Sequence, residues 1–191
     1  GALAGPDMFY EAAFKQTGVI RARYTEELFH LARAFATQPL PQGPGLAVVT
    51  NSGGPGIIAA DESEKAGLTM ARLSEQTIKA LQETLPAFAS LYNPVGVMNN
   101  ADEKRITQTV DIVLQDPNTP SVLVLITPPN FTPLEKSTES LVEVFKKHPD
   151  KPIFCCFMGG GNLVEAERRM FEAGYPCYRF PESAVGAIQA R

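Results

Sequence analysis

The chain has 191 residues, 44% of them hydrophobic and 20% charged, with a formal net charge of −4; this is the composition of a globular protein with a full core. A negative balance with no Lys/Arg cluster longer than a pair argues against a nucleic-acid surface, and no apolar run approaches the ~18 residues of a membrane span. Three cysteines, two of them adjacent (Cys155, Cys156) and the third at Cys177, are too few for a disulfide framework or a zinc site; they read as small buried hydrophobes of a reducing, cytoplasmic compartment, and no metal site is expected.

At the start, Pro6 and Asp7 suit a helix N-terminus, Phe9, Ala12 and Ala13 make an apolar stripe, and Gly18 can end it in a left-handed conformation. Val19 to Ala22 read as a strand. Thr25 with Glu26 and Glu27 is expected to cap a second helix, whose Leu28, Leu31, Ala32 and Phe35 fall at i, i+3, i+4 and i+7. His30 lies on that helix with no second ligand nearby, so it reads as a packing residue. Residues 37–44 (TQPLPQGP) carry three prolines and a glycine and read as a linker. What precedes them is too little to enclose a core. The expected division is therefore 1–38 as the tail of a preceding α/β domain, 39–44 as linker and 45–191 as a domain of its own.

From Gly45 a buried strand (Leu46, Ala47, Val48, Val49) runs into the glycine turn Asn51-Ser52-Gly53-Gly54-Pro55-Gly56, and a helix is expected from near Ile57 to a stop at Gly67. Leu68 to Leu73 read as a second strand, and Ser74 with Glu75 starts a helix that Pro86 ends. Residues 88–100 have no clear period. Asn100 and Glu103 have capping-box spacing ahead of a helix with Ile106, Val110, Val113 and Leu114 on its buried stripe. Ser121 to Ile126 is an uninterrupted apolar strand ending in Thr127-Pro128-Pro129-Asn130. A helix from about Pro133 to Lys147 follows, with His148 at its C-terminal end, where a cation is favoured. Pro152 to Phe157 form the next strand, before a Gly159-Gly160-Gly161 turn. Asn162 and Glu165 again have capping-box spacing, for a helix stopped at Gly174. A last strand (176–180) and helix (181–189) complete the set.

Five strands alternating with helices give an α/β, three-layer flavodoxin-like parallel sheet in the order 2-1-3-4-5. Ligands of such sheets sit beyond the C-terminal ends of the strands, near the switch point. That rim carries Asn51, Ser52, Gly53, Gly54 and Gly56 as a phosphate-binding set, because the first N–H groups of a helix lack internal partners and carry the positive end of its dipole. Asn93, Thr127, Asn130, Gly159 and Gly160 are further rim contacts. No Ser-His-acid set converges there, so no catalytic residue is expected in this chain. FMN is a weaker alternative, since tryptophan is absent and only Phe131 and Phe157 are near.

Four stretches, GALAGPDMFYEAAFKQTGVIR, AVVTNSGGPG, NPVGV and FMGGGN with EAGYPCYRFPESAV after it, together cover nearly the whole chain and resemble the nucleoside-diphosphate-forming acyl-CoA synthetases, relatives of succinyl-CoA synthetase. The resemblance implies a modular ligase that converts an acid, CoA and ATP to acyl-CoA, ADP and phosphate. Its implied partners are the remaining CoA-binding and ATP-grasp domains of the same enzyme, using CoA, ATP/ADP and Mg and passing phosphate or acyl phosphate; a homo-oligomer is compatible with it. It also implies a phosphohistidine held between two helix N-termini. The helix after TNSGGPG is similar to the second of them, with its histidine in a Ser-His-Thr segment expected just before Gly1. Many relatives read Asn-Pro-Val-Asp where this chain has Asn93, Pro94, Val95 and Gly96. A related group with a fused acetyltransferase uses the synthetase-like part for regulation, and a ligand-sensing module of that kind is the alternative.

Overall fold

The computed structural model describes residues 6–128, 134–160 and 163–191. Among them six parallel strands form one sheet: β1 (Gly45–Thr50), β2 (Thr69–Met70), β3 (Val95–Gly96), β4 (Ser121–Ile126), β5 (Ile153–Phe157) and β6 (Cys177–Tyr178). The order is β2-β1-β4-β5-β6, with β3 paired to β1. The five expected strands therefore lie in the expected 2-1-3-4-5 order, and β3 is an addition inside the stretch without a period.

Strand periodicity explains the three layers. Side chains alternate across a strand, so Ala47 and Val49 of β1 face one core and Leu46 and Val48 the other. On the first face Leu81, Ile106, Leu141 and Met170 come from α4 (Glu75–Thr84), α5 (Glu103–Gln115), α6 (Leu134–Phe145) and α7 (Leu163–Glu172). On the second, Leu31, Ala59 and Val185 come from α2 (Thr25–Thr37), α3 (Gly53–Lys65) and α8 (Pro181–Gln189). Covering both faces is what makes β1, β4 and β5 buried at every residue, as their unbroken apolar runs require.

Four local expectations are corrected. Residues 19–22 form no strand: Val19 and Ile20 are about half exposed, and with no neighbouring strand a ladder cannot form there. The helix of the glycine turn starts at Gly53 rather than Ile57, with Ser52 as its N-cap. Asp102 rather than Asn100 caps α5, accepting the Arg105 N–H at 2.9 Å. Thr25 is the first residue of α2 and makes no cap bond; the Glu27 carboxylate instead reaches back to the Arg23 N–H. By contrast Ser74 caps α4 through the Thr77 N–H, as its sequence signal indicates. The capping pair at Asn162 lies outside the described residues.

The segment before the proline stretch divides. α1 (Asp7–Thr17) buries no residue, whereas α2 docks on the sheet. Gln38 donates from Nε2 to the Gly174 carbonyl and accepts the Ile153 N–H, both at 2.8 Å. Arg191 donates to the Ala34 and Gln38 carbonyls at the end of α2.

Buried Asp116 organises the turn before β4. It accepts the N–H groups of Ser74 and Asn118, each at 2.8 Å. Burial by itself would raise its pKa, but these two N–H bonds, with the Thr77 and Ser74 hydroxyls, outweigh it and hold the carboxyl below its ordinary 3.8. Asp116→Ala should cost about 2–3 kcal/mol in denaturant unfolding, because the Ser74 and Asn118 N–H groups lose a charged acceptor. The sign of the pH effect follows from the depressed pKa. The unfolded chain binds the proton more readily, so this stabilisation is complete above pH 3.8 and is lost as pH falls below it. The acid limb of the wild-type stability curve should be correspondingly steeper than that of the variant.

Candidate functional site

The exit of β1 is built by two side chains that turn their polar atoms inward. Asn51, 4% exposed, donates from Nδ2 to the Thr127 carbonyl at 2.7 Å and accepts the Thr127 N–H at 2.9 Å and its hydroxyl at 3.2 Å. It therefore clamps the ends of β1 and β4 together. Thr50 Oγ1 accepts the Ser52 N–H and donates to the Ser52 carbonyl, both at 3.1 Å. Gly56 is buried, donates its N–H to the Ser52 carbonyl at 3.3 Å, and has no room for a side chain, since a Cβ there would lie 2.9 Å from Thr50 Cγ2. Of the expected phosphate-binding set, then, Asn51, the Ser52 amide and Gly56 are committed to the protein itself.

Gly53 and Gly54 are different. Both are exposed, and among the described residues no acceptor takes either N–H. A Cβ at either position would meet nothing within 4 Å, so no internal contact calls for glycine. Glycine costs about 1 kcal/mol against alanine inside a helix; what it provides here is close approach to two free donors. The Ser52 hydroxyl makes no cap bond to its own helix and stands beside them. The first turn of α3 carries no acidic residue, while those of α1, α2, α4, α5, α7 and α8 each do. The positive end of this helix dipole is left uncompensated.

Ser52 and Gly53 line a groove of about 600 Å³ whose walls include Ile57, Phe88, Pro94 and Met98, and Gly54 is the next residue along the helix start. No side chain lining it carries a charge. Phe88 and Ile57 are 73% and 63% exposed. Met98 has φ +73° and is the one non-glycine residue with positive φ among those described, a conformation that costs an L-residue roughly 1–2 kcal/mol.

The remaining rim residues have internal duties. Asn93 accepts the Val48 N–H at 2.9 Å and donates to the carbonyls of Leu46 at 2.7 Å and Ala71 at 3.0 Å. Its carboxamide fills the gap on the β1 edge between β2, paired at Gly45 and Leu46, and β3, paired at Val49 and Thr50. Thr127 belongs to the Asn51 clamp. Gly159 has φ +146° and would place a Cβ 2.8 Å from Pro128 Cδ, so it is a packing glycine. Gly160 is exposed with open space around it. Asn130 lies outside the described residues.

Neither histidine reaches the groove. His30 stands edge-on to the Tyr178 ring, 5.1 Å between centroids, and burial pushes its pKa below 6.5. His148 Nε2 lies 2.8 Å from Asp111 Oδ1 at the far end of the strands. All three cysteines are free and buried; burial pushes the Cys156 thiol up to about 12, which makes it a poor nucleophile. Among the described residues no helix is long and apolar enough to cross a membrane.

A parallel 2-1-3-4-5 sheet with helices on both faces agrees with what the chain matches. Residues 46–191 match the model of the Ligase-CoA domain. The chain belongs to the Ligase-CoA domain family. It is 39% identical over 193 aligned positions to the alpha subunit of ADP-forming acetate–CoA ligase II of Pyrococcus furiosus, covering 100% of this chain and 42% of that subunit. It is 36% identical to the ADP-forming 4-hydroxybutyrate–CoA ligase of Nitrosopumilus maritimus, covering 100% of this chain and 27% of that protein. In structure it superposes on acetyl-coenzyme A synthetase 1 of Ca. Korarchaeum cryptofilum, solved in complex with phosphate and ADP, with a TM-score of 0.93 and 28% identity over 100% of this chain and 41% of that one. The Ligase-CoA chain thus spans less than half the length of the relatives it matches.

Sequence reasoning missed Ile57, Phe88 and Met98. The first two were visible only as apolar residues without a periodic reason; the third gave no signal, because the adjacent Asn99 and Asn100 are the more usual left-handed residues. The division of the glycines is checked by thermal unfolding. Gly53→Ala and Gly54→Ala should leave the melting temperature unchanged or raised, whereas Gly56→Ala should destabilise by about 1–3 kcal/mol through contact with Thr50.

Proposed function

We propose that this chain is part of an ADP-forming acyl-CoA ligase and that the start of α3 receives the phosphoryl group of a phosphohistidine located outside it. The observation that carries this reading is the pair of free N–H donors on Gly53 and Gly54 at an uncompensated helix terminus, where Gly53 lines a groove without charged side chains. Two phosphoryl oxygens accept from these amides and a third contact comes from the Ser52 hydroxyl. Each such charge-assisted bond contributes about 1.5–3 kcal/mol, and the dipole adds about 0.3–1 kcal/mol. The chain supplies no nucleophile and no proton carrier; it stabilises charge on a group brought to it.

In this reading acyl-CoA and phosphate give acyl phosphate and free CoA, an imidazole nitrogen attacks the phosphorus so that the P–O bond breaks with release of the carboxylate as the N–P bond forms, and the phosphoryl group passes on to ADP. The reverse direction consumes ATP. CoA, ATP and Mg are assigned to the remaining CoA-binding and ATP-grasp domains. In this reading residues 1–38 are the end of a preceding flavodoxin-like domain, 39–44 the linker and 45–191 the second such domain. The exposed α1, with Met8 and Phe9 in solvent, then packs against another domain of the enzyme, while α2 docks on this sheet.

A second reading is a regulatory module of a larger protein, in which the same groove senses a phosphorylated ligand. It draws on Gly96, which lines the groove at the position where the family resemblance leads one to expect aspartate. Formation of acyl-CoA by the full-length protein separates the two.

Gly54→Asp in the full-length protein should abolish labelling of the histidine by radiolabelled ATP while leaving the melting temperature within a few degrees of wild type. It places a negative charge and bulk where the phosphoryl group sits, in space that nothing else occupies. Wild-type labelling of the variant would overturn the assignment.

A further inference from the structure

Met98 is an oddity that neither fold nor anion binding absorbs. Its φ of +73° is one that glycine adopts freely and methionine does not. The chain uses glycine at the other positive-φ positions described, Gly18, Gly67, Gly159 and Gly174. Met98 is half-buried, yet it belongs to neither hydrophobic core and is not packed against either. Met98 lines the groove in front of α3, together with Phe88, which is 73% exposed. A side chain retained at a backbone cost, outside the core and inside a candidate site, points to use by a ligand.

The chemistry of the groove says which ligand. The anion-accepting end has two free amides and a hydroxyl, enough for one phosphoryl group. Beyond it no lining side chain is charged, so a second phosphate, as in a nucleoside diphosphate, would find no counter-charge. The group that carries the phosphoryl must be neutral and present an apolar face. A singly phosphorylated imidazole has that form: a flat ring whose face packs on aromatic carbon and on sulfur.

We propose that Met98 and Phe88 form the apolar seat for the ring of the phosphohistidine, so that the groove holds ring and anion together. This rests on the reading of α3 as the phosphohistidine terminus. Its consequence is that stability and function separate at position 98. Glycine there relieves the backbone and removes the seat; leucine keeps an apolar side chain in the same place.

The test compares wild type, Met98→Gly and Met98→Leu in the full-length protein, by thermal unfolding and by the extent of labelling with radiolabelled ATP. Met98→Gly should melt at or above the wild-type temperature and yet carry about tenfold less label, the loss expected from removing one sulfur–aromatic contact at the strong end of its range. Met98→Leu should keep at least half of the label. The seat is refuted by wild-type labelling in Met98→Gly, by a loss that tracks a lowered melting temperature, or by a Met98→Leu as poor as the glycine variant. Failure of the wild-type protein to label at all sinks the phosphohistidine reading and this inference with it. Normal wild-type labelling that Gly54→Asp abolishes but Met98→Gly does not reduce sinks only the seat.

Discussion

Everything in this site depends on how Thr50 and Asn51 end β1. A strand leaving a parallel sheet exposes backbone donors and acceptors, and two short polar side chains absorb them: the Thr50 hydroxyl takes both the N–H and the carbonyl of Ser52, and the Asn51 carboxamide ties itself to Thr127. With those groups satisfied, the chain can turn directly into α3, and the first donors left over are those of Gly53 and Gly54. The site is therefore defined by subtraction. Two amides and the Ser52 hydroxyl remain unpaired, while the Ser52 and Gly56 N–H groups and the Asn51 carboxamide are bonded within the protein.

A second constraint shapes the opposite wall. β1 is the edge partner for two short strands in succession, β2 beside its first residues and β3 beside its last. Asn93 spans the interval between them with three hydrogen bonds to backbone, which fixes where the chain re-enters the sheet. Val97 then donates to the Thr50 carbonyl at 2.8 Å, and the next residue is Met98. The groove is thus held on one side by the helix start and on the other by a loop anchored at both ends to the same strand. Preorganisation of this kind limits the conformational entropy lost when a ligand is bound.

The layered sheet and its strand order were legible from the sequence because buried parallel strands of five or six apolar residues, SVLVLI and IFCCF among them, leave little alternative. The site was legible only in outline. The glycine turn identified the right terminus, yet six residues of TNSGGPG look alike on paper and play three roles: clamp, packing and open donor. Nothing local distinguishes Gly56, which must lack a Cβ because of Thr50, from Gly54, which faces open space. Asn93 looked like a rim ligand for the same reason, and its duty depends on a two-residue strand too short to leave a pattern. The strand expected at residues 19–22 failed for the converse reason: β-branched residues favour a ladder only where a partner strand exists.

Titrating inorganic phosphate into the ¹⁵N-labelled chain and following its amide resonances tests the central claim most directly. The account predicts that the Gly53 and Gly54 resonances move together and saturate, while those of Ser52 and Gly56, whose protons are already bonded, move little. Saturable shifts confined to Ser52 and Gly56, or unmoved Gly53 and Gly54 resonances, would contradict it.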